Sequence, residues 1–287
     1  METISLLRYE FKIYIKDKLL NRQRRKFNHN IKCMSKKIVF FDSGIGGLST
    51  LAACLNLCPT LQYIYVADNK NAPYGKLSAK QIMRFTEATL KPYLTNPEVA
   101  AIVLACNTAT NCAIERLRSL TSTKIIGTEP AIIPALKSTA GKILVLATPA
   151  TIAQPKFKSL ISNKQSQLII SPQPNLASLI EQYFESKSAD IKNKIISELK
   201  KSAQSKENFC SIVLGCTHYS LIADIISEVF KVKTFDGNLG VANELARFIS
   251  AANLTPLAKS FPQILTTKKA KMNYATILSE QLKKLQN

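Results

Sequence analysis

Two cysteines stand in nearly the same sequence context, 110 residues apart (216 minus 106). Cys106 lies in Ile102-Val-Leu-Ala-Cys-Asn-Thr108 and Cys216 in Ile212-Val-Leu-Gly-Cys-Thr-His218, and four of the seven positions are identical. In both segments an apolar run ends close to the cysteine and polar residues follow at once. This pattern is typical of a buried strand that delivers a reactive side chain to the edge of a sheet. It indicates a duplicated architecture with two facing thiols.

The setting of these two cysteines favours chemistry over packing. Each is predicted to end a strand and precede a helix, where the helix dipole lowers the cost of a thiolate. Two opposed thiols suit the inversion of a carbon acid, because one can remove a proton from one face while the other supplies a proton to the opposite face. A disulfide oxidoreductase usually has its two cysteines close in sequence, and a cysteine hydrolase would leave one of them unexplained. The remaining cysteines lack this context and are interpreted as packing or surface residues: Cys33, Cys54, Cys58, Cys112 and Cys210.

Other polar residues fall at predicted strand ends or in the turns that follow them. They are Asp42, Pro73-Tyr74-Gly75, Asn107-Thr108, Thr148, Thr151 and Thr217-His218. Sites in parallel sheets form outside the carboxyl ends of the strands, so this convergence predicts one site. The glycine turn 44–47 could receive an anion at a helix N-terminus, or it could be only a tight turn. It does not match the dinucleotide pattern, because Ser49 occupies the last glycine position.

Strand and helix signals alternate regularly along the chain. Strands are predicted at 37–41, 62–67, 99–105, 124–127, 142–147, 167–170, before Cys216, at 231–235 and at 263–267. One helix is predicted to follow the glycine turn and end at about residue 57, and a second runs from a Ser78 cap to residue 94. Further helices are predicted to begin at residue 107 and after Thr148–Thr151. The remaining helices are predicted at 175–184, 189–203 and 238–251, and at the C-terminus. This alternation predicts parallel sheets covered on both faces, with right-handed crossovers. We therefore expect an α/β protein.

Composition places the chain among globular proteins. It has 287 residues, of which 46% are hydrophobic and 20% charged, enough for two α/β domains with separate cores. No apolar run approaches the length of a membrane span, and charged residues interrupt the first twenty positions, so we expect no membrane insertion and no secretion signal. Seven cysteines, an odd number, predict reduced thiols and a cytoplasmic location. With two histidines, His29 and His218, we expect no metal site.

The chain is strongly basic, with a formal net charge of +20. Residues 1–33 contribute nine Lys/Arg against three Asp/Glu, hence +6. Such a field could attract nucleic acid, anionic lipid or anionic metabolites. Since no nucleic-acid module is recognisable, we expect no nucleic-acid partner. Two interpretations of residues 1–33 stay open: an amphipathic helix that binds a membrane surface or a partner, or a disordered basic extension ahead of a natural start at Met34.

Five segments, in order, resemble the signatures of bacterial glutamate racemases, within the aspartate/glutamate racemase superfamily. They are Asp42–Ser49, Ala72–Gly75, Ala105–Ala109, Gly127–Ala131 and Leu214–Tyr219. The resemblance extends from about residue 37 to the C-terminus. Aspartate racemases usually have Cys-Thr-Glu at the second cysteine, whereas this chain has Cys216-Thr217-His218, which favours glutamate.

The resemblance implies a cofactor-independent enzyme that interconverts L- and D-glutamate for peptidoglycan. Cys106 and Cys216 would be the opposed bases, Asp42 and His218 would tune the thiols, and Glu181 would be the remaining acidic partner. The implied substrate contacts are Asp42, Ser43, Pro73, Tyr74, Gly75, Asn107, Thr108, Thr148, Thr151, Thr217 and His218. The family fold has two doubly wound α/β domains related by pseudo-twofold symmetry, with the active site between them. Here these would be residues 34–132 with 245–287, and residues 133–244.

Several points are left open by the sequence. The loop Asp68–Asn71 lacks the Thr-Ala-Arg of many members, and the segment before Glu181 lacks the usual cysteine, so Glu185 competes for that role. The alternative functions are those of another racemase such as aspartate racemase, of a decarboxylase, or of a basic binding protein without turnover. Some members with an N-terminal extension are activated by UDP-N-acetylmuramoyl-L-alanine, which makes residues 1–33 a regulatory candidate. A monomer and a homodimer both fit the sequence.

Overall fold

The computed structural model describes residues 36–202, 208–254 and 260–286, which form one compact unit. The interpretations of residues 1–33 lie outside these ranges. The strands are β1 Lys37–Asp42, β2 Gln62–Ala67, β3 Val99–Leu104, β4 Lys124–Gly127, β5 Ile143–Ala147, β6 Leu168–Pro172, β7 Ser211–Leu214, β8 Lys233–Phe235 and β9 Gln263–Thr266. The α-helices are α1 Leu48–Leu57, α2 Ala79–Leu94, α3 Asn107–Arg118, α4 Ile132–Ser138, α5 Pro149–Ile152, α6 Pro155–Ile161, α7 Leu176–Ser186, α8 Ala189–Ser202, α9 Thr217–Leu221, α10 Ala223–Phe230, α11 Asn238–Ala251 and α12 Tyr274–Lys284.

The strands form two separate sheets in which every pairing is parallel. The first has the order β4-β3-β1-β2-β9 and the second the order β6-β5-β7-β8. When the second sheet is read from its other edge, its order is β8-β7-β5-β6, which matches β4-β3-β1-β2 of the first sheet strand for strand. The same topology is therefore used twice, and β9 extends the first sheet beyond β2. The predicted fold class, two parallel-sheet α/β domains, is confirmed.

Burial explains why the strands could be recognised in the sequence. Every residue of β5 and β7 is buried, and only the first residue of β1 and of β2 is not. A parallel strand covered by helices on both faces consists of apolar residues throughout rather than alternating ones. At α2 the predicted Ser78 cap is a full capping box, in which Ser78 and Gln81 each bond the other's backbone N–H.

Two helices are absent from the sequence-based prediction: α4 and α10. Each spans only seven or eight residues, and Pro134 lies inside the first of them. The helix predicted after Thr148–Thr151 is divided into α5 and α6, and Pro155 is the first residue of α6. The predicted strand from residue 231 was wrong at its start. Lys231 has φ 55° and ends α10 in the left-handed conformation, so β8 begins at Lys233.

Helix α11 lies against α1 on the first sheet. The boundary predicted between residues 244 and 245 falls inside this helix, and the domain boundaries stay a prediction. Across the ranges 36–202, 208–254 and 260–286, no helix combines the length and the apolar character needed to cross a bilayer.

Gly215 marks a close approach between β7 and β5. A Cβ at this position would lie 2.7 Å from the carbonyl oxygen of Leu146 and 2.9 Å from Cβ of Ala147.

We expect Gly215→Ala to lower the free energy of unfolding by about 1–3 kcal/mol, because overpacking displaces backbone. The midpoint of denaturant unfolding measures this. At Gly240 in α11 an added Cβ meets nothing within 4 Å, so Gly240→Ala should leave the fold as stable or up to about 1 kcal/mol more stable. Equal midpoints for the two variants would contradict the strand packing described.

Candidate active site

Both cysteines lie where an open parallel sheet places its ligand site. In each sheet, strand order reverses at one point, between β1 and β3 in the first and between β5 and β7 in the second. Ligands bind outside the carboxyl ends of the strands at such switch points. Cys106 follows β3 and Cys216 follows β7. The duplicated topology thus puts the two thiols at equivalent positions.

Cys106 is the N-cap residue of α3 and is 5% exposed. Its Sγ accepts a hydrogen bond from the N–H of Ala109 at 3.4 Å and lies 3.8 Å from Oγ of Ser43. Burial raises the pKa of the Cys106 thiol, and the nearby charges of Asp42 and Cys216 add to this, while the Ala109 N–H opposes it. The helix N-terminus therefore acts in the predicted direction but is outweighed, and these surroundings favour the protonated thiol.

Cys216 occupies the matching position with different neighbours. It precedes α9 and is 6% exposed. Its Sγ lies 3.9 Å from Nδ1 of His218, two residues further along the chain. One thiol is thus next to a carboxylate and a hydroxyl, and the other is next to an imidazole.

His218 is buried between Cys216 and Glu181. Its Nε2 lies 2.8 Å from Oε1 of Glu181, which also accepts the N–H of Ile45 at 3.2 Å. Burial lowers the pKa of His218, but the hydrogen bonds to Cys216 and Glu181 outweigh it and hold the pKa well above its ordinary value. The structure therefore brings Glu181 to the imidazole, whereas Glu185 pairs with Lys271 at 3.0 Å.

Asp42 joins the two sheets through its carboxylate. Oδ1 accepts the N–H of Gly44 at 2.7 Å, and Oδ2 accepts the hydroxyl of Thr217 at 3.0 Å. Burial raises the pKa of Asp42, and the positive charge of His218 opposes this rise. The end of β1 is thus bonded to the residue that directly follows Cys216.

The glycine turn after β1 is shaped by close contact with the second sheet. A Cβ at Gly44 would lie 2.1 Å from Oε1 of Glu181, and a Cβ at Gly46 would lie 2.6 Å from Nδ1 of His218 and from Oγ1 of Thr217. Any side chain here would displace the groups that surround Cys216. The turn therefore needs glycine for space.

Three buried threonine hydroxyls meet on the other side of the site. Oγ1 of Thr108 lies 3.1 Å from Oγ1 of Thr148 and 3.2 Å from Oγ1 of Thr151, and Thr148 donates to Thr151 at 3.0 Å. Thr108 belongs to α3 on the first sheet. Thr148 caps α5, the helix after β5 on the second sheet, and Thr151 lies within that helix. Converging neutral hydroxyls of this kind can bind a carboxylate.

The segment Pro73–Gly75 lies beside this hydroxyl group. A Cβ at Gly75 would lie 3.0 Å from Cγ2 of Thr148, and the peptide bond before Pro73 is cis. Tyr74 is buried, and its hydroxyl donates to Asp68 at 2.6 Å. Its predicted part in substrate binding would therefore come from its backbone or ring.

Asn107 and Asp68 are two further polar residues at the carboxyl edge of the first sheet. The amide of Asn107 donates to the carbonyl oxygen of Thr128 at 3.4 Å. Asp68 is buried and bonds the Pro73–Gly75 segment through Tyr74, and sequence reasoning did not name it as a candidate. Its position at the carboxyl end of β2, the same edge that carries Asp42 and Cys106, was the available signal.

Comparison with known proteins gives a consistent result. Residues 47–245 match the family described as Asp/Glu/Hydantoin racemase. A glutamate racemase of Clostridium botulinum is 39% identical over 224 residues, which is 76% of this chain and 86% of that protein. Glutamate racemase of Francisella tularensis, solved with D-glutamate, has a TM-score of 0.70 at 28% identity and covers 87% of this chain and 94% of its own. The Escherichia coli enzyme, solved with L-glutamate and the activator UDP-MurNAc-ala, has a TM-score of 0.71 at 28% identity over 88% and 94%.

The two parallel sheets are thus those of a racemase fold, shared with glutamate racemases solved at 28% identity. The chain belongs to the Asp/Glu/Hydantoin racemase family. The identification made from its sequence motifs is confirmed, and with it the assignment to the amino-acid racemases, which are isomerases.

The pair formed by Glu181 and His218 can be tested by titration. Glu181→Gln replaces the carboxylate by a neutral amide, so we expect the pKa of His218 to fall. The histidine ring signals in NMR spectra recorded against pH measure it, and the His29→Gln background leaves one signal to follow. Glu185→Gln on the same helix is the matched control and should leave the titration of His218 unchanged, because Glu185 pairs with Lys271.

The same pair makes stability depend on pH. Since the folded-state pKa of His218 lies above its ordinary value of 6.5, protonation stabilises the fold fully below that pH. This contribution is lost as the pH rises through the raised pKa. Glu181→Gln should reduce this dependence, as measured by unfolding midpoints across the same pH range. An unaltered titration of His218 in Glu181→Gln would contradict the pairing.

Proposed function

We propose that this chain is a glutamate racemase that interconverts L- and D-glutamate without a cofactor, with Cys106 and Cys216 as opposed bases. The observation that carries the proposal is the position of the thiols. They follow equivalent strands of two sheets with one topology, and both connect to the turn after β1: Cys106 through Ser43, and Cys216 through its neighbour Thr217, which bonds Asp42. Glutamate racemases at 38–40% identity over about three quarters of the chain support the substrate.

The reaction is a balanced transfer of two protons. The Cys216 thiolate removes the proton from Cα of L-glutamate, and the Cys106 thiol gives its proton to the opposite face of the same carbon. D-Glutamate leaves, and the enzyme now holds a Cys216 thiol and a Cys106 thiolate. The reverse reaction starts from this state and restores the first. No net proton is consumed.

The neighbours of the two thiols suit these unequal starting roles. The protonated imidazole of His218, held by Glu181, stabilises negative charge on Cys216. Burial and the carboxylate of Asp42 disfavour negative charge on Cys106, which makes it the proton donor in the L-to-D direction. A negative charge on Cys216 adds to the rise in the pKa of Cys106.

Neutral hydroxyl groups bind a carboxylate of the substrate in this proposal. The hydroxyls of Thr108, Thr148 and Thr151 bind one carboxylate. Further contacts come from Asp42, Ser43, Pro73, Tyr74, Gly75, Asn107, Thr217 and His218. A cationic clamp on the carboxylate would compete with the electrostatics that acidify Cα, whereas neutral donors fixed in place do not. The D-glutamate formed supplies peptidoglycan synthesis in the cytoplasm.

Single-cysteine variants test the two-base scheme. Cys106→Ala and Cys216→Ala should each lower racemisation by about two to four orders of magnitude, because each removes one proton-transfer group. Circular dichroism of L-glutamate without added cofactor measures the rate, and exchange of the Cα proton in deuterated water gives a second readout. Cys112→Ala is the matched control from the same helix as Cys106 and should keep wild-type activity. Retained racemisation in either active-site variant would rule out the scheme. A higher rate with L-aspartate than with L-glutamate would identify aspartate as the substrate.

Activation by a cell-wall precursor is the second part of this proposal. The Escherichia coli relative was solved with UDP-MurNAc-ala as its activator, and residues 1–33 carry a charge of +6 that could bind such an anion. We expect UDP-N-acetylmuramoyl-L-alanine to raise the racemisation rate of the full chain more than that of a chain beginning at Met34. Steady-state kinetics of both, with and without the precursor, measure this. The same response in both would dismiss a regulatory role for residues 1–33.

A further inference from the structure

Asp68 is a buried carboxylate that the proton-transfer scheme does not use. It directly follows β2 and is 1% exposed. Oδ2 accepts the hydroxyl of Tyr74 at 2.6 Å, Oδ1 accepts the hydroxyl of Thr267 at 2.9 Å, and both oxygens accept the amide of Asn71 at 3.0–3.1 Å. Its backbone N–H donates to the carbonyl oxygen of Asp42 at 2.9 Å. One carboxylate therefore holds three side chains beside the catalytic edge of the first sheet.

One of these side chains comes from the C-terminal strand. Thr267 directly follows β9, and its N–H donates to the carbonyl oxygen of Ala67 at 3.0 Å. The next residue, Lys268, exchanges two hydrogen bonds with the side chain of Asn69, both at 3.0 Å. The end of β9 is thus fixed to the loop that begins at Asp68.

Another of these side chains belongs to the substrate turn. The ring of Tyr74 lies in the apolar cluster that also contains Cys106, with its centroid 6.3 Å from that of Phe41. The next residue, Gly75, lies against Thr148 of the threonine hydroxyl group. The place where the Tyr74 hydroxyl is held therefore sets the distance between the substrate turn and the carboxylate-binding threonines.

We propose that Asp68 is a positioning residue for substrate binding, and that Thr267 makes the C-terminal strand part of the same anchor. The inference rests on the proposed racemase function and deepens it. Without the carboxylate, the buried hydroxyl of Tyr74 loses its acceptor on Asp68, and the exposed hydroxyl of Thr267 keeps only Oδ1 of Asn69, at 3.3 Å. The turn must then move to find another partner for Tyr74. The proton-transfer groups are held by bonds that do not involve Asp68, such as those from Ala109 to Cys106 and from His218 to Glu181. Substrate affinity should therefore suffer more than turnover.

The test is a set of variants whose KM and kcat are measured with both glutamate isomers. Tyr74→Phe and Thr267→Val should each raise KM roughly fivefold to tenfold and change kcat less than twofold. Asp68→Ala should raise KM more than either, and Asp68→Asn, which keeps one acceptor oxygen, should recover part of the loss. Because the isomers have equal free energies, kcat/KM must fall by the same factor in both directions.

Tyr63→Phe is the matched control. Tyr63 is also a buried tyrosine whose hydroxyl donates a hydrogen bond, to the carbonyl oxygen of Cys58 at 2.7 Å, and it lies on β2 away from the carboxyl end. It should lose stability without a change in KM. Denaturant unfolding of each variant separates stability from affinity.

The outcomes separate this inference from the proposed function. If the wild-type chain does not racemise glutamate, the proposed function fails. If it does, and Tyr74→Phe and Thr267→Val keep the wild-type KM while losing stability, Asp68 is merely structural and the inference is overturned. A rise in KM for Tyr63→Phe equal to that for Tyr74→Phe overturns it as well. Should Asp68→Ala fail to fold, the Tyr74 and Thr267 variants decide the question.

Discussion

The carboxylate of Asp42 is the interaction on which the arrangement of the site depends. A charge removed from water is costly unless donors reach it, and its two donors come from different parts of the molecule: the N–H of Gly44 in its own turn and the hydroxyl of Thr217 from the second sheet. The two sheets must therefore meet in one register for this group to be satisfied. Glycine at position 46 is what lets them meet, because the imidazole of His218 occupies the space a side chain would need.

A duplicated scaffold gives equivalent positions, yet the chemistry needs inequivalent groups. The topology supplies the equivalent positions by repeating one strand order, so that Cys106 and Cys216 each follow a strand at a switch point. The inequivalent surroundings come from a few neighbouring residues that are not duplicated. A carboxylate and a hydroxyl lie near one sulfur, and an imidazole paired with Glu181 lies near the other. The two halves of the chain have thus kept the fold in common and differ in the local charge at each thiol.

Much of the fold could be predicted because the strands are buried on both faces, so their apolar runs and the polar residues that end them are visible in the sequence. What the sequence could not decide depends on contacts between distant segments. Glu181 and Glu185 are four residues apart on one helix and share a face, and only the positions of His218 and Lys271 separate them. The direction of the Tyr74 hydroxyl depends on a buried acceptor. The short helix α4 was missed because Pro134 lies inside a helical pattern of only seven residues.

The parallel pairing of β9 with β2 bears on how the chain folds during synthesis. Gln263 is the partner of Ile64, 199 residues earlier (263 minus 64). The ribosome therefore makes the entire second sheet before the last strand of the first sheet exists. Until then the outer edge of β2 has no strand beside it, and such an edge is open to pairing with other nascent chains. Contacts this far apart in sequence also slow folding. A chaperone that covers this edge during translation would act on the half of the molecule that emerges first and is completed last.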